Sequence, residues 1–250
     1  MIVSLGMIVR GTVSPALAVG CGQIHCYGGQ GSSTTFVRGV DGYIWATAVV
    51  LDDPLRNFQA HFVNLCPQSA CNTGWAQIGP FQGSINADRV TAVCPISTCV
   101  RSQTAIHMYG ENTDGCTNYT ITDFGAPPAQ NTAYYLSYSG ISQFFDCKTQ
   151  YKYYFRHGSI SNPPDGSAWL GAISGVPIAE SEVINGEAIA TDYFGLDGSH
   201  GINDGFGLHV LQGATWNIWN AASVPGTSTL QYQPPYYVGK KAYSAFQTHG

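Results

Sequence analysis

Residues 132–139 read TAYYLSYS, and residues 151–156 read YKYYFR. Both runs are rich in Tyr, with Thr and Phe beside it, the residue types that suit a pleated, half-buried surface. Neither repeats its apolar positions with a helical period. In a strand, neighbouring side chains point to opposite faces. One member of each adjacent pair, Tyr134-Tyr135 and Tyr153-Tyr154, is therefore expected to face outward. Working outward from these two runs, similar stretches recur at 43–50, 58–65, 75–82, 105–109, 118–124, 168–173, 179–184, 206–211 and 215–219. Gly, Pro, Asn and Asp separate them. Short strands at this spacing predict an all-β fold, a sandwich, barrel or jelly roll. The longest turn-rich gaps are 20–35, 157–167 and 195–205. The stretch 157–167, HGSISNPPDGS, reads as an exposed loop, because its two prolines exclude a central strand. Trp216 and Trp219 read as core positions. No gap resembles an inter-domain linker, so residues 19–250 are expected to form a single domain.

Composition narrows the function. Charged residues make up 10% of the 250 residues, against about 25% in an average soluble protein. The net charge is -5, and no basic cluster exceeds the pair Lys240-Lys241. A protein that binds nucleic acid by neutralising phosphates needs more positive charge than this. The 30 glycines and 13 prolines show no collagen period and fit a chain with many turns.

Residues 1–18, MIVSLGMIVRGTVSPALA, read as a signal peptide. The apolar part is too short to span a bilayer, and it ends in the small-x-small pattern Ala16-Leu17-Ala18. Arg10 interrupts the run and no basic segment precedes it, so the natural start is expected upstream. No later apolar stretch is long enough for a membrane span. The eight cysteines are Cys21, Cys26, Cys66, Cys71, Cys94, Cys99, Cys116 and Cys147. Three pairs share the spacing C-x4-C: CGQIHC, CPQSAC and CPISTC. Eight cysteines permit about 105 pairings, and local pairing is the economical choice: 21–26, 66–71, 94–99 and 116–147. Zinc is the competing reading, but no His stands at finger spacing. Disulfides persist in an oxidising compartment, so the protein is expected to be secreted.

Several reactive motifs are absent. No G-x-S-x-G elbow, H-E-x-x-H or G-x-x-x-x-G-K occurs in the sequence. The carboxylates are more informative. Glutamate occurs only at Glu111, Glu180, Glu182 and Glu187, and three of these lie in AESEVINGE, residues 179–187. If 179–184 is a strand, Glu180, Glu182 and Ile184 share one face. Two carboxylates at i and i+2 stand about 6–7 Å apart. Their mutual repulsion raises one pKa and supplies general acid/base power. A solvated strand face is the plainer alternative. The two-glutamate signature of laminarinase-type glycosidases fails, because Ile184 and Asn185 stand where its third carboxylate belongs. Glu111, in MYGEN, could pair with Glu180 or Glu182 from a second strand.

The segment Trp75-Ala76-Gln77-Ile78-Gly79 is similar to the Gln-x-Gly strand of the eqolisin-type glutamic peptidases. Ala179-Glu180, followed by an apolar strand and Asp192-Tyr193-Phe194-Gly195, resembles that family's Ala-Glu strand. The order of the segments also agrees, over residues 43–211. The resemblance implies a concanavalin- or jelly-roll-like antiparallel β-sandwich, here stapled by disulfides. It implies a Glu general base that activates water and a Gln amide that donates to the oxyanion, with no cofactor and no metal. Carried over, Gln77 is the donor and Glu180 the base, with Glu182 a close second. The family's tryptophan-containing segments before the Gln strand and after Ala-Glu are not matched; Phe62-Val63-Asn64-Leu65 and Ser181-Glu182 stand in those places. The expected partner is a polypeptide or polysaccharide, met by a monomer. The alternative is a non-catalytic sandwich that binds carbohydrate or a cell surface through outward-facing aromatics, since the chain has 15 Tyr and 5 Trp.

Overall fold

A computed structural model describes residues 25–32, 37–45, 58–66, 74–83, 106–113, 119–126, 131–145, 147–171, 176–184, 204–219, 227–231, 237–241 and 245–249. All regular structure among these residues is β. The strands are β1 (His25–Ser32), β2 (Gly39–Trp45), β3 (Phe58–Cys66), β4 (Trp75–Gly83), β5 (His107–Thr113), β6 (Tyr119–Gly125), β7 (Asn131–Phe145) and β8 (Lys148–His157). They continue as β9 (Gly166–Leu170), β10 (Val176–Ile184), β11 (Asp204–Gln212), β12 (Thr215–Ile218), β13 (Thr227–Gln231), β14 (Tyr237–Lys241) and β15 (Ala245–His249). No helix among the described residues is long and apolar enough to cross a membrane.

Two antiparallel sheets form. One has seven strands in the order β13-β1-β10-β3-β4-β5-β6. The other has eight, in the order β14-β15-β11-β2-β7-β8-β9, with β12 paired to β11. Alternation along each strand decides what lies between them. Val63 and Leu65 of β3, Ala76 and Ile78 of β4 and Met108 of β5 join one buried cluster. From the other sheet the cluster takes Val40, Ile44, Tyr134, Leu136, Tyr153, Phe155, Ala168, Leu170, Leu208 and Val210. Burial of this apolar surface is the main force that holds the two sheets together.

The tyrosine pairs split as expected. Tyr134 and Tyr153 are in the core, while Tyr135 and Tyr154 lie on the opposite side of their strands and are half-buried. Burial raises the pKa of both core tyrosines. Trp219 is fully buried. Trp216 is a correction: it is only half-buried and meets the ring of Tyr135 edge-on at 6.0 Å. A Cβ on Gly39 would stand 3.2 Å from the tip of the Trp216 indole. Among the described residues Thr215–Ile218 pairs with β11 alone, and Trp216 is opposite Leu211, on the side of β11 turned away from the core residues Leu208 and Val210.

The loop expected at 157–167 lies between β8 and β9. His157 ends β8 and holds Asp165 across it at 2.9 Å. Asn162 Nδ2 donates to the His157 carbonyl at 2.8 Å. The expected gap at 20–35 is a second correction, because β1 occupies much of it. HCYGGQGS lacks strand-forming residues, yet its backbone pairs with β10 on one side and β13 on the other. Ladder hydrogen bonds on both edges override a weak local preference. The strands β13, β14 and β15 were not expected from the sequence either.

Residues 1–18, Glu187, the Asp192–Gly195 segment and Cys21, Cys71, Cys94, Cys99 and Cys116 lie outside the described residues. Each of the four expected cysteine pairs includes one of these positions. Neither Cys66 nor Cys147 is a free thiol.

Candidate functional site

The site is built on the seven-stranded sheet, on the face opposite the inter-sheet core. A single register row crosses the whole sheet: Ser228, Gly31, Ile178, Asn64, Gln77, Glu111 and Ile121. Directly opposed residues of antiparallel strands share a face. Ile178 stands in that row, and Glu180 and Glu182 follow it two and four positions along β10. Glu180 is opposite Phe62, and Glu182 is opposite Ala60, which in turn faces Phe81.

The strand of Gln77 is not adjacent to the strand of the glutamates, because β3 runs between them. Two strand spacings and one two-residue step separate the Gln77 and Glu180 backbones by about 11–12 Å.

Burial on this face is unusual for its composition. Gln77 is 6% exposed and Glu111 5%, and Asn64, Phe62, Phe81 and Tyr109 are buried beside them. A buried polar side chain is costly unless it is hydrogen-bonded. Gln77 meets that condition with its neighbours on β5. Its Nε2 donates to the Tyr109 hydroxyl at 2.7 Å and to Glu111 Oε2 at 2.8 Å. Tyr109 is framed in turn by Phe81, whose ring meets it edge-on at 5.5 Å. Further along, His107 Nδ1 lies 3.1 Å from Asp123 Oδ2.

Gly79 explains part of the Gln-x-Gly pattern. It shares the face of Gln77, two positions along. A Cβ there would collide with the His61 carbonyl oxygen and stand 2.9 Å from the Phe62 Cα. Only glycine allows β3 and β4 to approach so closely beside the Gln77 row. The result is a position without a side chain next to Phe62, the residue opposite Glu180.

The sequence reading selected Gln77, Glu180 and Glu182 but gave Glu111 only a weak pairing with the other glutamates. The hydrogen bond from Gln77 to Glu111 was missed. Its one advance signal was the alternation of Tyr109 and Glu111 in HMYGENT, which puts both on one side of a strand. Among the described residues there is no group of three His, Cys, Asp or Glu side chains that could hold a metal ion.

No family model matches the chain, and no curated protein sequence matches it. Among solved structures it is similar to a crystal structure of scytalido-glutamic peptidase with a peptide-based transition-state analogue. The identity is 9% and the TM-score 0.49, over 90% of this chain and 97% of that one.

Proposed function

We propose that this chain is a secreted hydrolase of the glutamic-peptidase kind, which cleaves polypeptide in mildly acidic surroundings without a cofactor. Glu180 is the general base that takes a proton from water, and Glu182 is its close neighbour and alternate. Gln77 supplies the neutral amide at the reacting centre. A carboxylate of raised pKa and an amide that stays neutral at any pH suit water activation in acid. What supports this reading is the register row that joins Gln77 through Asn64 to β10, two positions from Glu180 and four from Glu182, with Gln77 buried and its amide held in place. An export signal in residues 1–18 and disulfides 21–26, 66–71, 94–99 and 116–147 belong to the same reading.

The test is digestion of denatured protein by the purified mature chain at pH 3–7. Turnover is expected from the wild type and none from Glu180→Gln or Glu182→Gln, with thermal stability nearly unchanged in both. Gln77→Ala is expected to lower the rate by about 10²–10³-fold, as for loss of one positioned hydrogen-bonding group. Full activity in both glutamate variants would end the proposal.

A second reading has its own support on the other sheet. The outer face of the eight-stranded sheet carries Tyr43, Tyr135, Tyr154, Trp169 and Trp216, all exposed or half-buried. Aromatic surfaces of this kind suit sugar rings, and they favour carbohydrate binding there. Glycan-array binding that is lost on Trp216→Ala, from a chain inert towards protein, would favour this second function.

A further inference from the structure

We infer that Glu111 is a positioning residue that fixes which end of the Gln77 amide faces the reacting centre; this rests on the hydrolase reading above. The Gln77 amide nitrogen carries two hydrogens, and both are engaged, one by the Tyr109 hydroxyl and one by Glu111. Glu111 Oε2 accepts from Nε2, and a carboxylate oxygen without a proton has no hydrogen to offer the amide oxygen in return. Of the two ends of a primary amide, only the NH2 end can face it. A tyrosine hydroxyl donates or accepts, so Tyr109 alone would hold either orientation. The asymmetry comes from Glu111.

The consequence concerns chemistry. With both N–H groups held against β5, the free end of the amide is its carbonyl oxygen, Oε1, which accepts. In the resting site Gln77 therefore orients the attacking water through Oε1, by accepting a hydrogen bond from it. It becomes an oxyanion donor only after Nε2 leaves one of its two partners. Burial makes the lock strict, because a misoriented amide would present its oxygen to the Glu111 carboxylate with no water to separate them.

Glu111→Gln tests this with little change of shape. A second carboxamide accepts from Nε2 or donates to Oε1, so the Gln77 amide loses its imposed direction. We expect kcat to fall about 10- to 100-fold, as for a misplaced group near the chemistry, with KM changed less than twofold. In a Gln77→Ala background the same substitution should cost nothing further, because the residue it positions is gone. The second measurement does not need turnover. In nitrogen-15 spectra, the side-chain NH2 pair that disappears in Gln77→Glu should exchange slowly with solvent in the wild type and rapidly in Glu111→Gln. A wild-type pair that already exchanges like a free amide overturns the inference. So does unchanged kcat in Glu111→Gln when Glu180→Gln is inactive. If the wild type is inert or both Glu180→Gln and Glu182→Gln stay active, the hydrolase reading fails, and the exchange experiment still decides the role of Glu111.

Discussion

The two outer faces of this sandwich solve the same problem in opposite ways. Each is the side of a sheet turned away from the shared core, and each carries polar side chains at alternate positions. On the seven-stranded sheet, Asn64, Gln77 and Glu111 are buried, and Gln77 and Glu111 bond to each other. On the eight-stranded sheet, Lys152 and Arg156 are half-buried and stand over aromatic rings. The Lys152 ammonium lies 5.7 Å from the Tyr154 ring and 5.6 Å from that of Trp169, and the Arg156 guanidinium lies 4.9 Å from Tyr154. The second face keeps these two cations within reach of water, although Asp41, Ser137 and Gln150 of the same sheet are buried. On the first face each buried donor must find its acceptor in the protein. A buried polar row outside the main core is the stronger mark of a built site.

Substitutions should reveal that difference as a graded series. The largest effect is expected at Gly79. Gly79→Ala drives a methyl group into the β3 backbone and should cost about 3 kcal/mol, read as a lower midpoint in denaturant titration. Glu111→Ala comes next, because it strands one hydrogen of the Gln77 amide; a loss of about 2 kcal/mol is expected, measured the same way. A loss below that of a surface residue would dissolve the contrast between the faces.

On the other sheet the effects should be smaller, and one depends on pH. His209 Nδ1 lies 2.8 Å from Asp41 Oδ1. The hydrogen bond with Asp41 raises the pKa of His209, against the opposing effect of burial. A raised histidine pKa means that protonated His209 favours the folded state. Its contribution is complete below the ordinary value of about 6.5 and is lost as pH rises through the folded value. His209 is partly exposed, so solvent screening keeps the contribution under about 1 kcal/mol. Urea melts of wild type and His209→Gln should differ more at pH 5 than at pH 8.5, and an equal difference at both would count against the pair. The smallest change is expected for Lys152→Ala, about 0.5 kcal/mol for a cation over rings that keeps its contact with water, detectable as a small shift in thermal midpoint.

The sequence was legible where local chemistry and structure agree. TAYYLSYS and YKYYFR carry their strand preference and their inside–outside alternation in the residues themselves. The Gln77 and Glu180 segments were also readable as strands, β4 and β10. What could not be read depends on partners distant in the chain. β1 is a strand because β10 and β13 flank it, and nothing within HCYGGQGS says so. Trp216 looks like its core neighbour Trp219 until it is known to stand opposite Leu211 on β11. The link between Gln77 and Glu111 spans 34 residues and requires the register of β4 on β5, which no spacing rule supplies.

The order of strands in the seven-stranded sheet also has a consequence for how the site comes into being. β3, β4, β5 and β6 are consecutive in the chain and adjacent in the sheet. They form a meander of sequential pairings, which need less loop closure than the pairing of β10 with β3. Gln77, Tyr109 and Glu111 all belong to it. β10 arrives from more than a hundred residues downstream of β3 and is inserted between β1 and β3. A chain emerging from the ribosome would thus hold the Gln77 amide against β5 before β10 had been made.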